Sequence, residues 1–242
     1  MKSYFNAAQD GRDNDGNITQ TVAGVKQLTS IEGKFKGVRQ GTGVGDNRYS
    51  THSRTTITTS SKIIVMAAAE IWFLRAEAAL RGFTSEDVES CYKQGVTTSF
   101  AQWDASGVSE YLESENTPAD YVDTFDKNFD AKATTSITPK WDNAADNETK
   151  LERIITQKWL AIYPEGCEAW AEQRRTGYPK LFKVVVNNSS NTISTDEMIR
   201  RVFFNQDYIT NNKPLYDALV SKLGGQDTGG TRLWWDTGKN NF

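Results

Sequence analysis

The apolar positions of this chain fall into a few helical stripes separated by long polar stretches. Within residues 62–82, Ile64, Ala67, Ala68, Ile71, Leu74 and Ala78 recur at the three-to-four spacing of one helix face. Trp72, Phe73, Ala76 and Leu80 occupy the other sides, so the pattern predicts a central helix that is apolar nearly all round. Gly82 stops it. Thr84-Ser85-Glu86-Asp87 offers an N-cap to a second stripe through Val88, Cys91, Tyr92, Val96, Ser99, Phe100 and Trp103. The short turn between the two requires an antiparallel αα-hairpin. Leu151, Ile154, Ile155, Trp159 and Ile162 mark another helix, closed by Pro164 and Gly166. Cys167, Trp170, Ala171 and Arg174 mark its successor, closed by Gly177 and Pro179, as a second αα-hairpin.

Weaker patterns fill the rest. Val108, Tyr111 and Leu112 suggest a short helix, and residues 214–223 a last one ended by Gly224-Gly225. Thr117-Pro118-Ala119-Asp120 has the form of an N-cap, an N1 proline and a first-turn acid ahead of Tyr121, Val122, Phe125 and Phe129. Residues 181–186 read as β-like, and 187–212 largely as loop. Residues 1–62 read as irregular or short-stranded, with 22–28 and 35–38 as candidate strands. A segment of that length cannot stand alone as loop, so it must drape over or pair with the rest. The expected organisation is a loop-rich segment (1–62), a helix hairpin (63–104), helices and a loop (105–150), a second hairpin (151–186) and a loop-rich C-terminal segment with one helix (187–242). This is a mainly α fold of helix hairpins with long irregular loops and a few short strands, not a βαβ alternation.

Composition narrows the function. The 28 basic and 31 acidic residues nearly balance, so no general basic field is offered to nucleic acid. One histidine makes a histidine-built metal site or triad improbable, and two cysteines exclude zinc ribbons and dense disulfide scaffolds. No apolar run reaches the roughly 18 residues of a membrane span. The first six residues lack the apolar region of a signal peptide. The 26 Thr and 16 Asn lie mostly between the apolar segments, which marks those segments as polar loops.

Several residues invite a chemical reading beside a plainer one. The run GTGVGD at 41–46 lacks the Lys-Ser/Thr ending and the following helix of a phosphate cradle, and reads as a flexible loop. Asp10, Asp13 and Asp15, with Asn17, are closely spaced carboxylates in a loop, as calcium favours; a solvated turn is the plainer reading. Calcium is the one cofactor the chain suggests. Glu70 and Glu77 stand about 10 Å apart along one helix, too far for a glycosidase pair. They read better as ion pairs, Glu77 with Arg81 and Glu70 with another helix. Arg174-Arg175 and Arg200-Arg201 suit bridges to carboxylates on packed helices better than anion binding. Cys91 and Cys167 lie on apolar stripes, as buried free thiols do, and a disulfide needs the two hairpins side by side. His52 reads as a surface residue, Trp159 and Trp170 as core. Trp141, between Pro139-Lys140 and Asp142-Asn143, reads either as a loop anchor or as a ring that stacks on a sugar while its polar neighbours bind hydroxyls.

Three long segments carry a resemblance. Residues 63–82 (IIVMAAAEIWFLRAEAALRG), residues 154–183 (IITQKWLAIYPEGCEAWAEQRRTGYPKLFK) and residues 198–236, with an arginine pair and a Leu-Trp-Trp-Asp ending, resemble SusD/RagB-like outer-membrane lipoproteins in order. The opening SYFNAAQDGRD fits as well. Ile199 stands where the family has a proline, Phe203-Phe204 where it has Tyr-Pro, and Asp207 where it has Glu. Family members are much longer, and this chain resembles their C-terminal portion. The N-terminal half carries the lipoprotein signal, so a lipid anchor would be the only membrane attachment. The central helix is expected to lack part of its usual cover.

The resemblance implies a glycan-binding protein of the cell surface of Bacteroidetes-type bacteria, not an enzyme. Tetratricopeptide-like helix pairs form its scaffold, and it sits as a lid on a SusC-like TonB-dependent transporter. The family's sugar contacts lie in variable loops, so no motif carries a binding role over. Candidate contacts are Trp141 and Trp103, then Tyr49 and Arg48 in the N-terminal loop. The competing readings are a helix-repeat interaction scaffold without sugar binding and a glycoside hydrolase.

Overall fold

A computed structural model describes residues 5–13, 15, 17–42, 47–61, 63–238 and 240–242. The proposed glycine loop lies outside them at 43–46, and so does the expected helix start at residue 62. Seven α-helices follow one small hairpin among the described residues: α1 (Ala68–Leu80), α2 (Val88–Gln102), α3 (Val108–Leu112), α4 (Asn147–Ala161), α5 (Gly166–Thr176), α6 (Gln206–Asn211) and α7 (Lys213–Leu223). The hairpin pairs β1 (Thr21–Val22) with β2 (Val25–Lys26), Thr21 opposite Lys26. Its two-residue turn places both Ala23 (φ 48°) and Gly24 (φ 76°) in the left-handed region, as tight hairpins require.

The helices begin and end where short-range chemistry directs. The Asp87 side chain accepts from Ser90 N at 2.8 Å to start α2, and Asp146 from Thr149 N at 2.7 Å to start α4. Gly177, at φ 79°, ends α5, and Gly224, at φ 75°, ends α7. The core lies between α1, α2 and α4. Ala69, Phe73 and Ala76 meet Cys91, Tyr92 and Val96, with Leu151, Ile154 and Ile155 against both. Gly95 lets α2 approach α1: a Cβ there would stand 2.7 Å from the Phe73 ring.

Charge joins α1, α4 and α5. Lys158 is 1% exposed, yet its ammonium stands 2.9 Å from Glu168, 3.0 Å from Glu172 and 3.3 Å from Glu70. Arg175 donates to both oxygens of Glu77 at 2.6 Å and to Glu172 at 2.7 Å, and Arg81 reaches Glu77 at 2.8 Å. Burial works against the charge on Lys158, but Glu172 and Glu168 outweigh it and hold its pKa above the usual lysine range. Burial likewise opposes the charge on Glu77, and Arg175 and Arg81 outweigh it to lower its pKa. The expected pairing of Glu77 with Arg81, and of Glu70 with another helix, is thus present.

The structure corrects several expectations. α1 starts at Ala68 rather than at residue 63. Ile63 and Val65 are 90% and 91% exposed, with no packed face to make helix formation worthwhile there. Only one face of α1 is packed; Ile71 and Leu74 stay partly exposed. No helix follows Thr117. Asp120 instead accepts from Ala133 N at 2.9 Å, and Tyr121 exchanges both backbone hydrogen bonds with Ala131 at 2.8 Å. Residues 35–38 and 181–186 form no strand. Val185 N and Val186 N both donate to the one carbonyl of Gly41, which leaves no ladder to extend. Helix α6, capped by Asn205, lies where loop was expected. Cys91 is buried but Cys167 is exposed, and both are free thiols. Trp159 and Trp170 are only half-buried.

Two substitutions test this packing in denaturant unfolding. Lys158→Ala removes the cation shared by three carboxylates and leaves the buried Glu70 without its ion pair, so it is expected to cost about 3–5 kcal/mol, whereas Lys93→Ala, which breaks only the surface pair with Glu89, costs under about 1 kcal/mol. Gly95→Ala, a change that stabilises an ordinary helix interior, is expected to destabilise by about 1–3 kcal/mol because the new Cβ overlaps the buried Phe73 ring.

Candidate functional site

Away from the helical core, three loop segments converge on one buried carboxylate. Asp123 is fully buried. Its Oδ1 accepts from Phe125 N at 2.8 Å and Asp126 N at 3.0 Å, so the acid shapes its own turn. Its Oδ2 accepts from the hydroxyls of Tyr49 and Tyr121, each at 3.0 Å. Tyr49 ends a 3-10 turn, Asn47–Tyr49, that also carries the half-buried Arg48. Its ring stands edge-on to His52 at 5.0 Å and to Phe125 at 5.5 Å.

Cations tie the remaining strands of chain to this centre. Lys36 donates to Val122 O and lies 4.4 Å from the centroid of the Tyr121 ring. Arg39 donates to Phe129 O at 3.0 Å and to Lys183 O at 2.6 Å. Residues 34–42, 47–55, 121–130 and 180–186 therefore form one aromatic and polar unit, with Tyr49 and Tyr121 half-buried at its surface. Burial and the neighbouring Asp123 raise the Tyr49 phenol well above its usual pKa. Tyr121 is pushed up to about 12, chiefly by burial. Both remain hydroxyl donors at physiological pH, so the arrangement positions rings rather than moving protons.

His52, expected at the surface, is 4% exposed. Its Nε2 stands 3.0 Å from Thr124 Oγ1, and the Tyr49 and Phe125 rings cover it. Burial, with the nearby Lys36 charge added, lowers its pKa to about 4 against the opposing pull of Asp123.

The four expected contact residues do not share one surface. Trp141 is 8% exposed and belongs to the helical core, its ring 5.0 Å from Tyr92 and its Nε1 donating to Asn143 at 2.9 Å. The Asp-Asn setting that suggested a sugar platform orients an anchor instead. Trp103 forms the half-buried C-cap of α2. Tyr49 and Arg48 alone belong to the loop unit.

The carboxylates of the calcium candidate also diverge. Asp10 is buried and accepts from Ser30 Oγ, Ile31 N and Gln27 Nε2 at 2.7, 2.8 and 3.0 Å. Asp13 accepts from Asp15 N and Asn17 N at 3.0 and 2.8 Å, closing its own turn. Among the described residues no three His, Cys, Asp or Glu side chains converge as metal ligands. The arginine pairs act as bridges: Arg175 on Glu77 (2.6 Å), Arg200 on Asp236 (2.6 Å) and Arg201 on Asp227 (2.5 Å). Arg174 lies instead 3.7 Å over the Trp170 ring and donates to Arg200 O at 3.0 Å.

One exposed ring was missed. Trp234 is 92% exposed and borders a cleft of about 300 Å³ near the end of α7. The signal was the Trp234-Trp235 doublet itself, since neighbouring side chains in a turn rarely share one burial.

The chain resembles known proteins along its whole length. A family model described as "SusD-like: Susd and RagB outer membrane lipoprotein" matches residues 1–236. A SusD homologue from Bacteroides vulgatus is 47% identical, with a TM-score of 0.83 over 100% of this chain and 47% of that one. A chitin-binding SusD homologue from Flavobacterium johnsoniae is 42% identical, with a TM-score of 0.78 over 86% of this chain and 44% of that one. A SusD homologue from Bacteroides thetaiotaomicron is 33% identical, with a TM-score of 0.84 over 99% of this chain and 49% of that one. The chain thus spans about half the length of the solved structures it matches. No curated protein matches it.

The loop unit has its own pH signature. The unfolded chain protonates His52 near 6.5, whereas the folded chain holds it neutral down to about 4. Its contribution is therefore complete above pH 6.5 and is lost as pH falls toward 4, because the unfolded state binds the extra proton. Stability measured from pH 7 to 4 is expected to fall by a few kcal/mol, and His52→Gln is expected to flatten that slope. An unchanged slope in the variant would assign the pH dependence to other groups.

Proposed function

The chain belongs to the SusD-like family of SusD and RagB outer membrane lipoproteins, and from that premise we propose that it forms part of a cell-surface glycan-binding protein. The protein captures an oligosaccharide and passes it to a SusC-like TonB-dependent transporter, held at the outer membrane by a lipid anchor. The observation that carries this reading is the 42% identity, over 86% of the chain, to a homologue described as chitin-binding. Chitin oligosaccharides are therefore the first ligands to test.

The physical chemistry of the loop unit supports binding without turnover. Asp123 has both oxygens engaged by hydroxyl and amide donors, and the tyrosines it holds stay protonated. Glu70 and Glu77, the carboxylates a hydrolase would need free, are engaged by Lys158, Arg81 and Arg175. What the unit offers a ligand is half-exposed aromatic rings beside cations on a fixed base. Such a surface suits a sugar ring with hydroxyl groups at its edge.

Calorimetry with chitohexaose tests the proposal. Measurable binding is expected, with Tyr49→Ala about tenfold weaker. Tyr49→Phe, which keeps the ring and loses only its bond to Asp123, should lie between the two. Absence of binding to chitohexaose and to a panel of other glycans would overturn the reading. Co-purification with an outer-membrane transporter, in that event, would point to an interaction scaffold.

A further inference from the structure

His52 fills a seam between two parts of the loop unit. Residues 47–55 form one side of the seam, and the turn at 121–126 forms the other. The buried imidazole has its Nε2 3.0 Å from Thr124 Oγ1, and the Tyr49 and Phe125 rings stand 5.0 and 6.1 Å away. Tyr49 crosses the same seam to donate to Asp123 at 3.0 Å. Asp123 and Thr124 are both fully buried. The helical core of Phe73, Tyr92 and Ile154 takes no part in these contacts.

The seam is built for a neutral ring. His52 Nδ1 is buried and meets no hydrogen-bond partner among the described residues. An added proton therefore either puts an N–H at Nδ1 where no group accepts it, or turns Nε2 from acceptor to donor against Thr124. The charged and titratable groups that face the ring are Lys36, Asp123 and Tyr49. Lys36 is held alongside, since its N donates to Ser53 Oγ and Ser53 N donates to its carbonyl, each at 2.9 Å. Its ammonium repels a second cation. Asp123 attracts one, but its Oδ1 already accepts from Phe125 N and Asp126 N and its Oδ2 from the hydroxyls of Tyr49 and Tyr121. It cannot turn toward an imidazolium without releasing the bonds that shape the turn.

We propose that His52 is an acid-operated latch: a proton on its ring opens the seam between residues 47–55 and 121–126 while the helical core stays packed. In the closed seam the imidazole is dry. In the open seam water reaches both nitrogens of the imidazolium, so acid draws the equilibrium toward the open form. Opening breaks the bond between Tyr49 and Asp123 and uncovers the buried Phe125 ring. The loss of stability in acid is thereby localised to one seam and not spread over the chain. The latch needs no ligand and operates whether or not the loop unit binds a glycan.

Hydrogen–deuterium exchange at pH 7 and pH 4, corrected for the intrinsic exchange rate at each pH, reads the opening segment by segment. In the parent, peptides over residues 47–55 and 121–126 should lose protection about a hundredfold between the two, as a shift of His52 from 6.5 to about 4 requires. Peptides over α2 and α4 should keep theirs. His52→Gln should hold the seam closed at pH 4. The chain has one histidine, so the imidazole C2–H resonance in proton NMR gives a second readout on the parent alone. It should keep its neutral position through pH 6.5 and give way to that of a solvated imidazolium only as the seam peptides lose protection. Loss of protection in α2 and α4 together with the seam would overturn the latch in favour of global unfolding. Equal opening of the seam in His52→Gln would assign it to a carboxylate instead. A C2–H resonance that titrates near 6.5 while the seam stays protected would show that the closed form accepts the proton, and would overturn the latch even where His52→Gln does not fold.

Discussion

The arrangement of the helices depends on keeping one ammonium dry. Lys158 sits at the junction of α1, α4 and α5 with carboxylates from α1 and α5 around it. Such a group is costly to bury unless each partner is in place, so the three helices can pack in few other ways. Arg175 extends the same constraint, since it grips Glu77 of α1 while bonded to Glu172 of its own helix. The apolar core of Phe73, Tyr92 and Ile154 supplies cohesion; the charges supply register.

The loops are organised on a different principle. Asp123 replaces a hydrophobic centre with a hydrogen-bonded one, and rings gather around it with their hydroxyls turned inward. This explains how the polar segments near residues 40, 125 and 182 acquire shape without sheet or helix. Every polar atom that holds the unit together is supplied by a side chain or an irregular backbone, which leaves no regular period along the sequence. The same logic recurs at Asp236, where Arg200 and Arg232 fix the turn that carries Trp234.

These two principles account for what the sequence revealed. The stripes of α2, α4 and α5 were legible because the apolar period is joined by an aspartate N-cap at α2 and α4 and by a closing glycine at α5. The pairing of Glu77 with Arg81 followed from spacing alone. The first turn expected of α1 failed because periodicity cannot tell whether Ile63 and Val65 have anything to pack against. Thr117-Pro118-Ala119-Asp120 has every local mark of a helix start, yet Asp120 bonds across the loop to Ala133. The surface reading of His52 and the open choice at Trp141 have one cause: both have polar neighbours in sequence and apolar or aromatic neighbours in space. Long-range contacts of that kind leave no mark in a local window. The SusD-like family was legible because the resemblance rests on three long segments in order.

The buried charges also bear on how the protein meets heat. The penalty for keeping ions out of water shrinks as temperature rises, while the gain from burying apolar surface levels off. The junction built on Lys158 and Arg175 is therefore the part whose hold slackens least on warming. The loop unit, held chiefly by hydrogen bonds around Asp123 and by ring edges, draws less on such pairs. Warming thus separates a lasting helical frame from a loop unit that softens before it.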